Sequence, residues 1–238
     1  MRADGRRNDE IRPLKIRTSY LAHAEGSVLI EMGMTKVICA VSVEERVPPF
    51  LKGEGRGWIT AEYSMLPRST ITRTPREMGG RNYEIRRFIG RSLRAGFDLS
   101  LLGERTLIVD CDVIQADGGT RTASVSGGWV AIYQALLRMK EMGEINTIPV
   151  KNIVAAVSVG IVDGLPMLDL CYEEDVRADV DLNVVMTDRG EFVEIQGTGE
   201  GRAFDRDELS ELLGLAEKGI KEIISCQRKA IEEIEGKL

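Results

Sequence analysis

The absences in this chain narrow its chemistry first. Among 238 residues there is one histidine, His23, so a Ser-His-Asp relay or a histidine-rich metal centre has almost nothing to be built from. Four cysteines, Cys39, Cys111, Cys171 and Cys226, lie far apart with no C-x-x-C pair. That argues against a zinc site or a disulfide framework and for reduced core thiols. No apolar run approaches the roughly 20 residues of a membrane span, and the opening "MRADGRRNDE" lacks the apolar stretch of a secretory signal. The expected location is the cytoplasm, with no membrane partner. Neither G-x-x-x-x-G-K-[ST] nor G-x-G-x-x-G occurs, so neither an ATP loop nor a dinucleotide fold is indicated.

With 43% hydrophobic and 29% charged residues, the chain can bury a substantial core. Residues 27–45 read as a β-hairpin folded at Gly33, and the glycine- and proline-rich stretch after it ends in a strand. From Asn82 to Phe97, Ile85, Phe88, Ile89 and Leu93 recur at helical spacing, which predicts that Arg87, Arg91 and Arg94 turn largely away from the buried stripe. "TLIVDCDVIQ" alternates like a half-buried strand, and Thr122 to Lys140 reads as a helix. "NIVAAVSVGIVDGLPMLDL" is two strands joined through an Asp-Gly turn, "ADVDLNVVMT" and "GEFVEIQGTGE" are two more, and a long helix runs from about Arg206 to Glu235. Asp205 and Glu208 fit a capping box at its start. Strand groups alternating with helices, without a low-complexity linker, predict a single α+β or α/β domain over residues 1–238.

Charge is unevenly spread. The whole chain is at −6, yet between Arg68 and Arg94 there are eight arginines, two acids (Glu77 and Glu84) and no lysine, a local balance of 8 − 2 = +6. Arginine suits bidentate contact with phosphate because its donors form a rigid fork. Two acids cannot pair eight bases, so the segment reads as a polyanion contact rather than a solvated helix face.

Two stretches carry candidate chemistry. In "IQADGGTRTASVSGG", residues 114–128, a strand ends at Gln115, turns through Gly118 and Gly119 and enters a helix at about Arg121. The unpaired N–H groups of the helix start, with Thr120, Thr122 and Arg121, can hold a tetrahedral oxyanion such as phosphate. The alternative is that Thr120 is simply an N-cap and the glycines simply permit the turn. Downstream, "CYEEDVRADVDLNVV" places Asp175 near a strand end and Asp181 at the start of the next strand. Such carboxylates hold Mg²⁺ or Mn²⁺ together with substrate phosphates, or else form a solvated acidic loop.

Long blocks of the chain resemble the ribonuclease PH family of bacterial phosphate-dependent 3′-to-5′ exoribonucleases. They include "RADGRRNDEIRPLKI", "GSVLIEMGMTKVICAVSVEERVPPFLKGEGRGWITAEYSMLPRST", "GRNYEIRRFIGRSLRA", "GERTLIVDCDVIQADGGTRTASVSG", "LDLCYEEDVRADVDLNVVMT" and "EIQGTGEGRAFDRDEL". The resemblance implies an α+β fold like ribosomal protein S5 domain 2 and a homo-hexameric ring built as a trimer of dimers. It implies tRNA nucleotidyltransferase activity: trimming of tRNA precursors from a single-stranded 3′ end, with inorganic phosphate as co-substrate and nucleoside diphosphates released. It further implies that Gly119, Thr120, Arg121 and Arg81 hold the attacking phosphate, that Arg68, Arg73 and Arg76 grip the RNA, and that Asp175 and Asp181 serve the divalent ion. One departure is that Glu77 to Arg81 run on directly where family members carry several more residues. A rival expectation is a ring subunit that only binds and positions RNA, which would have lost the charged groups that this chain keeps at 81, 121, 175 and 181.

Overall fold

The computed structural model describes residues 2, 4–76 and 79–236. Glu77 and Met78, part of the short junction singled out above, lie outside the described residues. The strands are β1 (Leu14–Thr18), β2 (Gly26–Met32), β3 (Thr35–Glu44), β4 (Trp58–Met65) and β5 (Thr106–Gln115) in the first half, and β6 (Val154–Val162), β7 (Leu165–Leu168), β8 (Ala178–Thr187) and β9 (Phe192–Gly199) in the second. The helices are α1 (Gly80–Arg94), α2 (Thr120–Glu141), the short α3 (Tyr172–Asp175) and α4 (Arg206–Glu235). The class is α+β: one five-stranded sheet in the order β1-β2-β3-β5-β4 and one four-stranded sheet in the order β7-β6-β8-β9.

The expected hairpin forms as antiparallel β2 and β3. Asp163 and Gly164, both at positive φ (+52° and +76°), make the tight turn between β6 and β7, as an Asp-Gly pair between strands requires. Alternation buries Val37, Cys39 and Val41 of β3 and Leu107, Val109, Cys111 and Val113 of β5 on one face, and α2 packs on that side. β4 lies parallel to β5, an arrangement that needs a crossover; α1 supplies it and covers β4.

Helix α2 is enclosed: it packs on β2 and β3 and also on β6 and α4, with Val125, Trp129, Val130, Ile132 and Leu136 fully buried. A helix without a polar face belongs in a core, and small residues let it in. A Cβ at Gly26 would sit 2.0 Å from the Ala131 carbonyl oxygen. The buried Gln227 of α4 donates to the carbonyls of Ser126 (3.0 Å) and Val154 (3.1 Å), so helix and sheet polar groups are satisfied where they meet. One buried apolar cluster runs through both sheets. The capping box of α4 is present, with Asp205 accepting from the N–H groups of Asp207 and Glu208 at 2.9 Å.

Three local expectations are corrected. Arg94 does not turn to solvent: its guanidinium lies over the Trp58 ring at 4.2 Å and donates to the Ile59 carbonyl at 2.9 Å, because the crossover presses α1 onto β4. The arginine run is less bare than its own two acids suggested, since Arg86 pairs with Glu62 (2.6 Å) and Arg91 with Glu194 (2.5 Å), carboxylates from other strands. All four cysteines are free, but Cys39 and Cys111 alone are buried, facing each other across β3 and β5. Among the described residues no helix is long and apolar enough to cross a membrane.

Candidate active site

β5 ends at Gln115 and the chain turns through Gly118 and Gly119, at φ +73° and +64°. Left-handed backbone at two successive positions favours glycine, and Gly118 has no room for more: a Cβ there would meet the Leu170 carbonyl oxygen at 2.5 Å. Gly119 is the N-cap of α2 and no side chain caps the helix. Thr120 is therefore the first helical residue rather than the cap. The N–H groups of the first turn are left for an outside acceptor, at the positive end of the helix dipole. Thr122 turns out to be a structural residue, fully buried with its hydroxyl returned to the Gly119 carbonyl at 2.9 Å. The Thr120 hydroxyl instead meets the buried Tyr63 phenol at 2.8 Å. Burial pushes the Tyr63 pKa up, against the opposing Thr120 bond and the nearby Arg81 and Arg121 charges, so the phenol stays neutral.

Beside this turn lies a cleft of about 610 Å³. α1 contributes Arg81 and Glu84, α2 contributes Arg121, α3 ends in it with Asp175, β8 lines it with Asp181 and Asn183, and β9 with Gln196 and Thr198. Arg121 donates through Nη1 to Gln196 Oε1 (2.5 Å) and to Glu84 Oε1 (3.2 Å), and Gln196 Nε2 donates to the same Glu84 oxygen at 2.7 Å. The guanidinium is thus aimed by two other elements. Arg81 is exposed and makes no hydrogen bond or ion pair among the described residues.

Burial raises the pKa of Asp175, opposed chiefly by Arg81 and Arg121. Burial raises that of Asp181 too, and repulsion from Asp175 adds to it. Two carboxylates in this state are short of compensating positive charge. Asp175 ends the short α3 rather than a strand, and Asp181 lies within β8, not at its start.

The four charged residues singled out in the sequence, Arg81, Arg121, Asp175 and Asp181, are brought into one cleft, with Gly119 and Thr120 on the turn leading into Arg121. Arg68, Arg73 and Arg76 are not among its lining residues. They lie exposed on the segment between β4 and α1. Its base is tied beside the turn, since Ala116 N–H donates to the Ser69 carbonyl at 2.9 Å.

The sequence reading missed a buried ionic frame. Arg12, 2% exposed, holds the fully buried Asp169 with Nε (2.9 Å) and Nη2 (2.7 Å). Its other donors reach the Asp117 and Gly118 carbonyls, and Thr35 Oγ1 donates to the Gly118 carbonyl at 2.7 Å. Arg2 clasps Glu174 in the same two-pronged way (2.7 and 2.6 Å). Burial would raise the Glu174 pKa, but the bonds from Arg2 outweigh it and hold it below the ordinary value. The N-terminal arm thereby fixes both the glycine turn and the approach to Asp175. Arg2 and Arg12 sit in an aperiodic segment, so no local pattern marked them.

Two family models match this chain: "3' exoribonuclease family, domain 1" over residues 10–137 and "3' exoribonuclease family, domain 2" over residues 152–219. The chain belongs to the 3′ exoribonuclease family. Within that family it is similar to Ribonuclease PH of Syntrophomonas wolfei subsp. wolfei, 58% identical over 232 residues that span 95% of this chain and 97% of the relative. Among solved structures it resembles an Archaeoglobus fulgidus exosome with RNA bound to the active site, with a TM-score of 0.80 and 25% identity over 94% of this chain and 91% of the other. It also resembles an archaeal exosome core, with a TM-score of 0.73 and 25% identity over 98% and 91%.

Proposed function

We propose that the cleft brings inorganic phosphate against the end of an RNA strand, and that Arg81, Arg121, Asp175 and Asp181 carry the reaction. The activity is that of a phosphorolytic 3′-to-5′ exoribonuclease, in keeping with 58% identity to a ribonuclease PH over nearly both whole chains. The observation that carries the site assignment is the convergence of two guanidiniums and two carboxylates beside an uncapped helix start.

Phosphate and a phosphodiester repel. A pair of unit charges at 4 Å costs about 1 kcal/mol in water and about 4 at an effective dielectric of 20. Positive charge already in place lowers that barrier without reorganisation. Arg121, braced by Glu84 and Gln196, Arg81 and the first N–H groups of α2 provide it, and the Thr120 hydroxyl, accepting from the Tyr63 phenol, has its own proton to offer the phosphate. An oxygen of hydrogenphosphate attacks the last internucleotide phosphorus and the bond to the preceding 3′ oxygen breaks. The proton of hydrogenphosphate balances the leaving oxygen, so no protein nucleophile is needed. The products are a nucleoside diphosphate and RNA one residue shorter, and the step is reversible because the bond made resembles the bond broken.

The carboxylates fit a hard divalent ion such as Mg²⁺ or Mn²⁺. They are oxygen donors lining one half-buried cleft, each with its charged form disfavoured. Among the described residues no three His, Cys, Asp or Glu side chains converge to chelate an ion alone. That suits Mg²⁺, which is commonly held by one or two carboxylates plus substrate phosphate and water. When bound, the ion would supply Lewis-acid stabilisation of the leaving oxygen. Arg68, Arg73 and Arg76 would grip the strand behind its end, which in this reading is the unpaired 3′ end of a tRNA precursor. We further infer that residues 1–238 act as one unit, assembled in the cytoplasm as a homo-hexamer, a trimer of dimers.

The deciding experiment incubates a labelled RNA with and without phosphate and Mg²⁺. Nucleoside diphosphates appearing only with phosphate support the reading, and nucleoside monophosphates overturn it. A non-catalytic RNA-positioning ring subunit would release neither.

A further inference from the structure

The cleft is charged at its two sides and neutral between them. In the antiparallel register of β8 and β9, Asn183 lies opposite Gln196 and Asp181 opposite Thr198. Residues opposite one another, or two apart on one strand, share a face, so these four side chains form one polar patch on the cleft floor. Gln196 is bonded to Arg121, and Asp181 feels the charge of Asp175. Asn183 touches both neighbourhoods: it is directly across from the residue that aims Arg121 and two residues along β8 from the carboxylate.

Asn183 is also out of balance. It is 9% exposed, lines the cleft, and makes no side-chain hydrogen bond among the described residues. A carboxamide offers donors and an acceptor, and here they face the cleft with no protein partner among the described residues. They are open to water and to a polar group of whatever enters the cleft. The anion goes to the guanidiniums and a cation to the carboxylates. The group between the attacked phosphorus and the leaving oxygen's side is the ribose whose 3′ oxygen departs. Its 2′-hydroxyl, one carbon from that oxygen, both donates and accepts, matching a neutral carboxamide better than any charged group would.

We propose that Asn183 hydrogen-bonds the 2′-hydroxyl of the penultimate ribose and is a specificity-determining residue, favouring ribose over deoxyribose at the cleaved linkage. This rests on the phosphorolytic reading of the cleft. The test compares the parent with Asn183→Ala on three oligonucleotides of one sequence: all-ribo, 2′-deoxy at the penultimate residue, and 2′-deoxy at the terminal residue. Nucleoside diphosphate release is measured across a phosphate titration, with the rate ratios taken at saturation. The 2′-hydroxyl also affects the leaving oxygen intrinsically, but equally for both proteins, so the change in the rate ratio isolates the side chain.

The expected result is a loss of about tenfold in discrimination at the penultimate position, the size of one good hydrogen bond, with an unchanged ratio at the terminal position and an unchanged KM for phosphate. Asn183→Leu, close to isosteric, is expected to give the same loss and serves if the alanine variant does not fold. An unaltered penultimate ratio overturns the assignment, as does a change confined to the terminal ratio or to the KM for phosphate. A parent protein that releases no nucleoside diphosphate from any of the three substrates overturns the phosphorolytic reading itself, a result separate from the others.

Discussion

Arg12 and Arg73 carry the same guanidinium in opposite settings. Arg12 is sealed under the glycine turn, with Asp169 on one edge and backbone carbonyls on the other. Arg73 stands exposed on the segment between β4 and α1, with no partner among the described residues. On the proposed reading the difference follows two tasks. An anion met at fixed distance needs backbone held in place, and the buried ion pair holds it. A strand gripped outside the cleft at any base needs exposed charge at adaptable positions, at the cost of sensitivity to salt.

Four measurements break or sharpen that contrast, from the largest effect to the smallest. Arg12→Ala leaves the buried Asp169 with only the longer Arg6 ion pair at 3.5 Å, and is expected to cost about 3 kcal/mol, the lower end for breaking a buried pair, read from the shift in denaturant midpoint. A loss no larger than that of Arg73→Ala would dissolve the distinction. Arg121→Ala is expected to lower the phosphate-dependent rate by about 100–1,000-fold, the scale of losing one preorganised donor to a developing anion, with RNA binding nearly intact. Parental degradation across a phosphate titration would remove Arg121 from the reaction.

Asp181→Asn is expected to abolish activity and yet raise Tm slightly at neutral pH, because the neutral amide escapes the burial cost of the carboxylate. The sign follows from linkage: a carboxyl whose folded pKa is raised destabilises the fold above that pKa, and the penalty vanishes once pH falls below the unfolded value. The Tm gain should therefore disappear in acid, and a gain that grows there would contradict the burial of Asp181. Arg68→Ala and Arg73→Ala are each expected to reduce the log–log salt slope of RNA binding by about 0.7 without moving Tm. An unchanged slope would detach those arginines from the strand.

The parts of the fold that could be read in the sequence are those that repeat locally. Period-two alternation marked β5, helical spacing marked α1, an Asp-Gly pair marked the β6–β7 turn, and Asp205 with Glu208 marked the start of α4. Of the charged residues of the cleft, Arg121 was legible from the glycine turn before it and Asp175 and Asp181 from their clustering, whereas Arg81 was distinguished from the other arginines of its run only by the family resemblance. Their partners were not. Arg12 and Asp169 are 157 positions apart, Arg121 and Gln196 are 75 apart, and nothing in either neighbourhood names the other. Thr120 was readable as a cap by residue type. Backbone geometry decided otherwise, because Gly119 at positive φ takes the capping position and frees the hydroxyl for Tyr63. Arg94 was placed on the solvent side by periodicity, which cannot know that a crossover brings Trp58 against it.

The arm carrying Arg2 and Arg12 is made more than 150 residues before the acids it clasps. A nascent chain can build β2, β3 and the long central helix while the glycine turn still lacks its lock. Contacts of such sequence separation form late, so catalytic competence should arrive as one of the final events of folding, after most of the apolar burial is complete. A chain caught at that stage would be compact and yet lack the ion pairs that hold the glycine turn in place.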